Sequence, residues 1–155
     1  MRIVTWNVAR RSSRLAEQAA ALASREPDVI ALQEVTDRTL PMWRAVLERI
    51  GLPHVTASLD RADPARVPVD RRRTGVLVSS RAQLADASTL SVPWPETATA
   101  AVASFASTAA VEVHTVHVPN AANGWIKVQT LQAIRSGLAA APAGPRVLCG
   151  DLNIP

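Results

Sequence analysis

"VLCGDLNIP" occupies residues 147–155, an apolar run that hands Gly150, Asp151 and Asn153 to a turn. Glycine, aspartate and asparagine favour turns, so the run reads as a strand with its polar groups gathered at the carboxyl end. The same pattern recurs upstream: "IVTWN" ends at Asn7, "VIALQE" at Glu34 and "VHVPN" at Asn120. In α/β sheets ligands bind beyond the carboxyl ends of strands, so these scattered residues are expected to converge on one rim.

Around these strands the chain alternates. Residues 2–8 and 28–34 read as extended, 13–25 and 39–50 as helical. Leu15, Ala19, Leu22 and Ala23 follow the helical spacing, with Ser12 or Ser13 available as a cap. In the second helix Pro41 falls in the first turn, and Gly51 follows Ile50 as a stop. Residues 54–59, 74–80, 99–106 and 110–118 are strand-like, rich in valine, threonine and alanine. A charged, proline-bearing loop runs from Asp60 to Arg73, and "SVPWPE" (91–96) makes another break. The last helix is expected from Trp125 to Ala140, with Trp125, Val128, Leu131, Ile134 and Leu138 on one stripe, before a strand from Arg146 to Cys149. Strands and helices in this order, with no internal repeat, predict a single α/β domain over residues 1–155 built on a mixed β-sheet with flanking helices.

Composition narrows the class. With 48% apolar and 19% charged residues the chain reads as globular rather than disordered. No apolar run approaches the roughly 20 residues that span a bilayer, and "MRIVTWNV" alternates like a strand instead of forming a secretory leader, so membrane insertion is not expected. Cys149 is the only cysteine, which excludes an intrachain disulfide or a cysteine metal cluster. It is expected to be a small buried core residue in a chain of the reducing cytoplasm. The net charge is +4, and all but one of the 17 basic residues are arginine, Lys127 being the exception. An arginine fork matches phosphate oxygens, so a phosphate-bearing partner fits, although the same excess also suits a GC-rich genome.

The residues at the strand ends are carboxylates and side-chain amides. Hard oxygen donors of this kind suit Mg²⁺ or Mn²⁺ better than Zn²⁺, and point to metal-assisted phosphoryl chemistry. Taken singly, each also fits an Asx turn or a solvated strand end. Neither "GxGxxG" nor "GxSxG" is present, which disfavours dinucleotide-binding and nucleophile-elbow enzymes.

"TWNV", "DVIALQEV", "HVPN" and "CGDLN" occur in an order and spacing that resemble the endonuclease/exonuclease/phosphatase superfamily, over essentially all of the chain. The resemblance implies a four-layered α/β/β/α sandwich, of which this mixed sheet is part, and hydrolysis of a phosphate ester by an in-line water. It implies that Glu34 is the principal Mg²⁺ ligand, with Asn7 beside metal and phosphate. Asp151 would align or deprotonate the water, Asn153 would orient it, and His117 stands where many such nucleases have a tyrosine and would donate to a phosphoryl oxygen. Asn120 closes that motif as a substrate-binding residue. Nucleic acid is one candidate substrate among other phosphate esters.

Two departures bear on this. Abasic-site nucleases of the superfamily have a "GLR"-like segment after the first asparagine and a lysine after the glutamate motif. Here "ARRSS" and "VTD" stand instead, which disfavours an abasic-site specialist. The superfamily's carboxyl-terminal "Asp-His" pair has no counterpart among His54, His114 and His117. The expectation is therefore an amino-terminal portion lacking its carboxyl-terminal half, nearly inactive alone, with exposed apolar sheet that favours self-association into a homo-oligomer. A non-catalytic binding or interaction module that keeps the fold is the alternative.

Other residues read less sharply. Arg71, Arg72 and Arg73 fit a solvated loop slightly better than a phosphate contact. His114 and His117 fall on opposite faces of their strand, and His114 is read as structural, while His117 fits a site role and a packing role equally. His54 is ordinary. Trp6, Trp43 and Trp125 are expected in the core, Trp94 in a loop beside the site or packed within that loop, and Lys127 on a solvated helix face.

Overall fold

A computed structural model describes residues 1–61, 73–106 and 109–154. The strands are β1 (Ile3–Asn7), β2 (Val29–Thr36), β3 (His54–Ala57), β4 (Thr74–Ser80), β5 (Leu84–Asp86), β6 (Ala98–Ala103), β7 (Val111–His117) and β8 (Arg146–Asp151). The helices are α1 (Leu15–Ala23), α2 (Leu40–Arg49) and α3 (Trp125–Ala140). The strands form two four-stranded sheets, in the orders β1-β2-β4-β3 and β5-β6-β7-β8. Each sheet is mixed: β1–β2 and β7–β8 run parallel, and every other pair is antiparallel.

Side-chain alternation along each strand sorts residues into layers. Ile30 and Leu32 of β2 pack with Leu22 of α1 and with Trp43, Val46 and Leu47 of α2. The opposite face of the same sheet sends Val29 and Val78 against Ala101, Ala103 and Val113 of the second sheet. Val116 and Ala98 on that sheet's far face pack under Ile134 of α3. The result is helices, sheet, sheet and helix, the four-layered mixed α/β architecture expected.

Several local expectations are corrected. Helix α1 begins at Leu15, and neither serine caps it through its side chain. β3 stops at Ala57, where Ser58–Asp60 makes one tight helical turn, and β8 extends beyond Cys149 to Asp151. The three-residue edge strand β5 was not anticipated. Trp43 is fully buried and Trp6 partly so, but Trp125 is 74% exposed at the start of α3. Cys149 is half-buried. The large apolar residues left exposed are Met1, Met42, Trp125, Val128, Leu148 and Ile154, of which Leu148 lies in β8. Among the described residues the edge strands are β1 and β3 in the first sheet and β5 and β8 in the second, with β1 and β8 side by side.

His114 is 2% exposed beneath α3, and Glu112, its neighbour at 3.1 Å, is held by Arg146. Burial lowers the pKa of His114, and Arg146 adds to the lowering, while Glu112 opposes it. Arg71 and Arg72 lie outside the described residues, but Arg73 donates to the Leu59 carbonyl and sits 3.5 Å from Asp37. Among the described residues no helix is long and apolar enough to cross a membrane.

Candidate active site

The seam where β1 meets β8 gathers the polar strand ends. Asn7 terminates β1, and its Oδ1 accepts the Ala9 N–H at 2.9 Å, which turns the amide nitrogen outward. That nitrogen donates to Glu34 Oε1 at 3.0 Å and to Asp151 Oδ2 at 2.7 Å, a residue 144 positions away. One amide thus spans two carboxylates from strands in different sheets.

Glu34 reaches this point through a bulge. Strict alternation after Ile30 and Leu32 would send its side chain into the helix-side core. Instead the pairing with β4 shifts between Gln33 and Val35, Glu34 adopts φ 57°, and Val35 takes the core position. A bulge residue in the left-handed region re-aims a side chain in this way. Behind it the buried Gln33 donates to Thr5 Oγ1 and to Thr115 Oγ1 (3.1 and 3.0 Å), tying the two sheets together directly under the site.

Asp151 depends on Gly150. A Cβ at position 150 would lie 2.0 Å from the Val116 carbonyl oxygen, and φ is +136°, so only glycine lets β8 approach β7 this closely. The resulting register sets His117 opposite Asp151. Burial pushes the Asp151 carboxyl up, but the Asn7 amide, the Asn153 N–H and the His117 charge together hold it below its ordinary value. His117 Nε2 also stands 3.7 Å from Glu34 Oε1. Asn153 (φ 48°) donates its backbone N–H to Asp151 Oδ1 and its amide to the Val118 carbonyl, at 2.9 and 2.7 Å. Lys127, on the first turn of α3, donates to the Asn153 carbonyl at 2.6 Å, so it braces the site instead of lying in solvent.

Glu34, His117 and Asn153 border a cavity of about 540 Å³, with Arg10 and Trp94 on its walls. Asn120 sits on its rim, exposed, its Oδ1 taken by the Asn123 amide. Asn7 and Asp151 face a second cleft of about 390 Å³, which shares Asn153 with the first. Of the residues singled out in the sequence, then, Asn7, Glu34, His117, Asp151 and Asn153 come together, and Asn120 stands at the edge.

Among the described residues, no group of three or more histidine, cysteine, aspartate or glutamate side chains is disposed to hold a metal ion. Two carboxylates joined by an amide nonetheless fit Mg²⁺, which keeps several waters and takes only one or two protein carboxylates. The absence of a thiolate among the described site residues is also in keeping with a hard cation.

Arg10 is the site residue that sequence reasoning missed. Its Nε lies 3.1 Å from Glu34 Oε2, and its backbone N–H donates to the Glu34 carbonyl at 3.2 Å. In "VARRSSR" nothing marks this arginine from its neighbours. Gln33 was equally silent, its role being visible only once Thr115 from the second sheet faces it.

The Endonuclease/Exonuclease/phosphatase family model matches residues 4–155. The chain belongs to the endonuclease/exonuclease/phosphatase family. Its fold is similar to that of a humanised D. rerio TDP2 (16% identity, 99% of this chain and 66% of that one, TM-score 0.72). It is similar also to an endonuclease/exonuclease/phosphatase from Beutenbergia cavernae (20% identity, 97% and 47%, TM-score 0.74). An AP endonuclease from Archaeoglobus fulgidus is 26% identical, with 98% and 56% covered and a TM-score of 0.66. The chain therefore spans between 47% and 66% of the length of these structures. No curated protein sequence matches it significantly.

Proposed function

We propose that this endonuclease/exonuclease/phosphatase family chain carries the greater part of the site of a Mg²⁺- or Mn²⁺-dependent phosphoesterase, acting on phosphodiesters of the nuclease type. The observation that carries the reading is the Asn7 amide spanning the Glu34 and Asp151 carboxylates at the mouth of two adjoining cavities. When bound, the divalent cation supplies charge that offsets the negative charge of a phosphoryl group.

The chain's own residues divide the remaining work. Glu34 is the cation's principal ligand, and Asn7 fixes the distance between the two carboxylates. Asp151, kept ionised by its hydrogen bonds, accepts a proton from the attacking water. Asn153, which lines both cavities, fixes Asp151 through its backbone N–H. His117, beside Glu34, and Asn120, at the rim, meet phosphoryl oxygens.

The share of the matched structures covered supports the further proposal that this stretch turns over slowly alone. In that case the chain, supplied in cis or in trans with residues for the part of the family fold it does not span, hydrolyses bis-p-nitrophenyl phosphate and an oligonucleotide in Mn²⁺, and chelation abolishes it. Asp151→Ala lowers the rate about 10²- to 10⁴-fold, the usual range for a positioned acid or base. Robust turnover that survives Asp151→Ala would overturn the assignment. A binding module without turnover is the second reading, favoured by Asn7 and Arg10 already occupying the carboxylates. It predicts phosphodiester binding with no hydrolysis even in the whole protein.

A further inference from the structure

Among the described residues, the non-glycine positions with positive φ are Ala9 (52°), Arg10 (59°), Glu26 (46°), Glu34 (57°) and Asn153 (48°). All but Glu26 lie at the site. Non-glycine residues in the left-handed region persist where surrounding structure holds them, and such positions cluster at functional sites. Ala9 and Arg10 together curl the chain after β1 so that both the backbone and the guanidinium of Arg10 address Glu34.

That pairing conflicts with a cation at Glu34. A guanidinium 3.1 Å from Glu34 Oε2 stands where a divalent ion's charge would repel it. The two compete for one carboxylate. Arg10 has somewhere to go: its side chain is 52% exposed, and it lines both the cavity of about 540 Å³ and a neighbouring one of about 490 Å³. The first of these is where Glu34, His117 and Asn153 meet. A planar fork released there matches two oxygens of a phosphate.

We propose that Arg10 is an exchanging counter-ion: it holds Glu34 when no divalent cation is present, yields the carboxylate when one arrives, and then binds a phosphate oxygen of the ligand in the larger cavity. The inference rests on the reading of Glu34 as a cation ligand. It assigns to one residue both the pairing of Glu34 Oε2, whose partner oxygen is already held by Asn7, and the recruitment of the anion. Cation and phosphate then bind with mutual reinforcement, because the first frees the residue that takes the second.

The test titrates the chain with Mn²⁺ by electron paramagnetic resonance, without substrate or turnover. Arg10→Ala is expected to bind Mn²⁺ about two- to fivefold more tightly, the scale of a partly exposed ion pair. Arg10→Lys keeps a competing cation and stays within about twofold of wild type. Arg38→Ala removes an equal charge from the neighbouring cavity and leaves the affinity unchanged. Inorganic phosphate, titrated onto the Mn²⁺-loaded protein by calorimetry, binds Arg10→Ala more weakly by about tenfold, the scale of a charged hydrogen bond. Glu34→Gln separates the two levels of the argument. If it leaves Mn²⁺ binding intact, the cation site itself is misassigned. If Glu34→Gln abolishes binding but Arg10→Ala changes nothing, or Arg38→Ala tightens it equally, or phosphate is indifferent to Arg10, the exchange is refuted while the site stands.

Discussion

Replacing Asn7 by alanine should destabilise the fold by about 2–3 kcal/mol at neutral pH and by much less in acid. The side chain makes three hydrogen bonds: it donates to Glu34 Oε1 (3.0 Å) and Asp151 Oδ2 (2.7 Å) and accepts from Ala9 N–H (2.9 Å). Bonds to buried charged groups contribute about 1.5–3 kcal/mol each, but this site is half-buried, so about 1 kcal/mol for each carboxylate and somewhat less for the turn is the appropriate scale. The pH dependence follows from Asp151. Burial raises its pKa, but Asn7, Asn153 and His117 outweigh that and depress it in the folded state. A depressed carboxyl contributes stability above its unfolded value of about 3.9, and the contribution disappears as pH falls through the lower folded value. Without Asn7 one of the lowering bonds is gone, so Asp151 moves back up toward the ordinary range. Urea unfolding followed by circular dichroism should therefore show a constant gap between wild type and variant from about pH 7 to 5, closing below about pH 4, with an unchanged m-value. A gap as wide at pH 3.5 as at pH 7 would mean that Asn7 does not bond ionised carboxylates, and the bridged pair would be lost as the centre of the site.

Gly150→Ala should cost more than about 4 kcal/mol, because the new Cβ would fall 2.0 Å from the Val116 carbonyl at a φ of +136°; a melting temperature within a few degrees of wild type would show that β8 does not approach β7 this closely. The thiol of Cys149 is pushed up to about 11 by burial, against weaker lowering by the Thr5 and Thr115 hydroxyls, so at pH 8 it remains protonated. Its reaction with a disulfide reagent should be far slower than that of the urea-unfolded chain, and equal rates in the two states would refute the buried environment.

Much of the fold was legible because its largest signals are local. Ile30 and Leu32, the spaced apolar residues of α2 and the proline in its first turn all speak within a few positions of themselves. β5 was illegible for the opposite reason: a three-residue edge strand is too short to alternate, and its pairing with β6 is decided elsewhere in the chain. Trp125 misled because the helical stripe says which face is apolar but not which residues of that face the rest of the fold covers. At the site, the strand-end residues announced themselves by type and place. The bulge at Glu34 did not, since two alternative phases of β2 differ only in where β4 slips its register. Lys127 and Arg10 carry no local mark, and their partners lie 26 and 24 positions away in sequence.

The site and the docking of the two sheets are one structure. Asn7 joins β1 to β8 across the seam, and immediately behind it Gln33 joins Thr5 to Thr115 across the same gap. Apolar contacts between the sheets are built from small residues, Ala101 and Ala103 facing Val29 and Val78, so they let the sheets come close but fix their lateral position weakly. The directional polar bonds at the seam supply that registry, and they require Asn7, Glu34 and Asp151 to stand where they do. Because Glu34 is held there by a left-handed backbone, and Asp151 by a glycine pressed against β7, the carboxylates are positioned by main-chain geometry and not by flexible side chains. The contacts that align the sandwich therefore also fix the two carboxylates relative to each other before any ligand arrives.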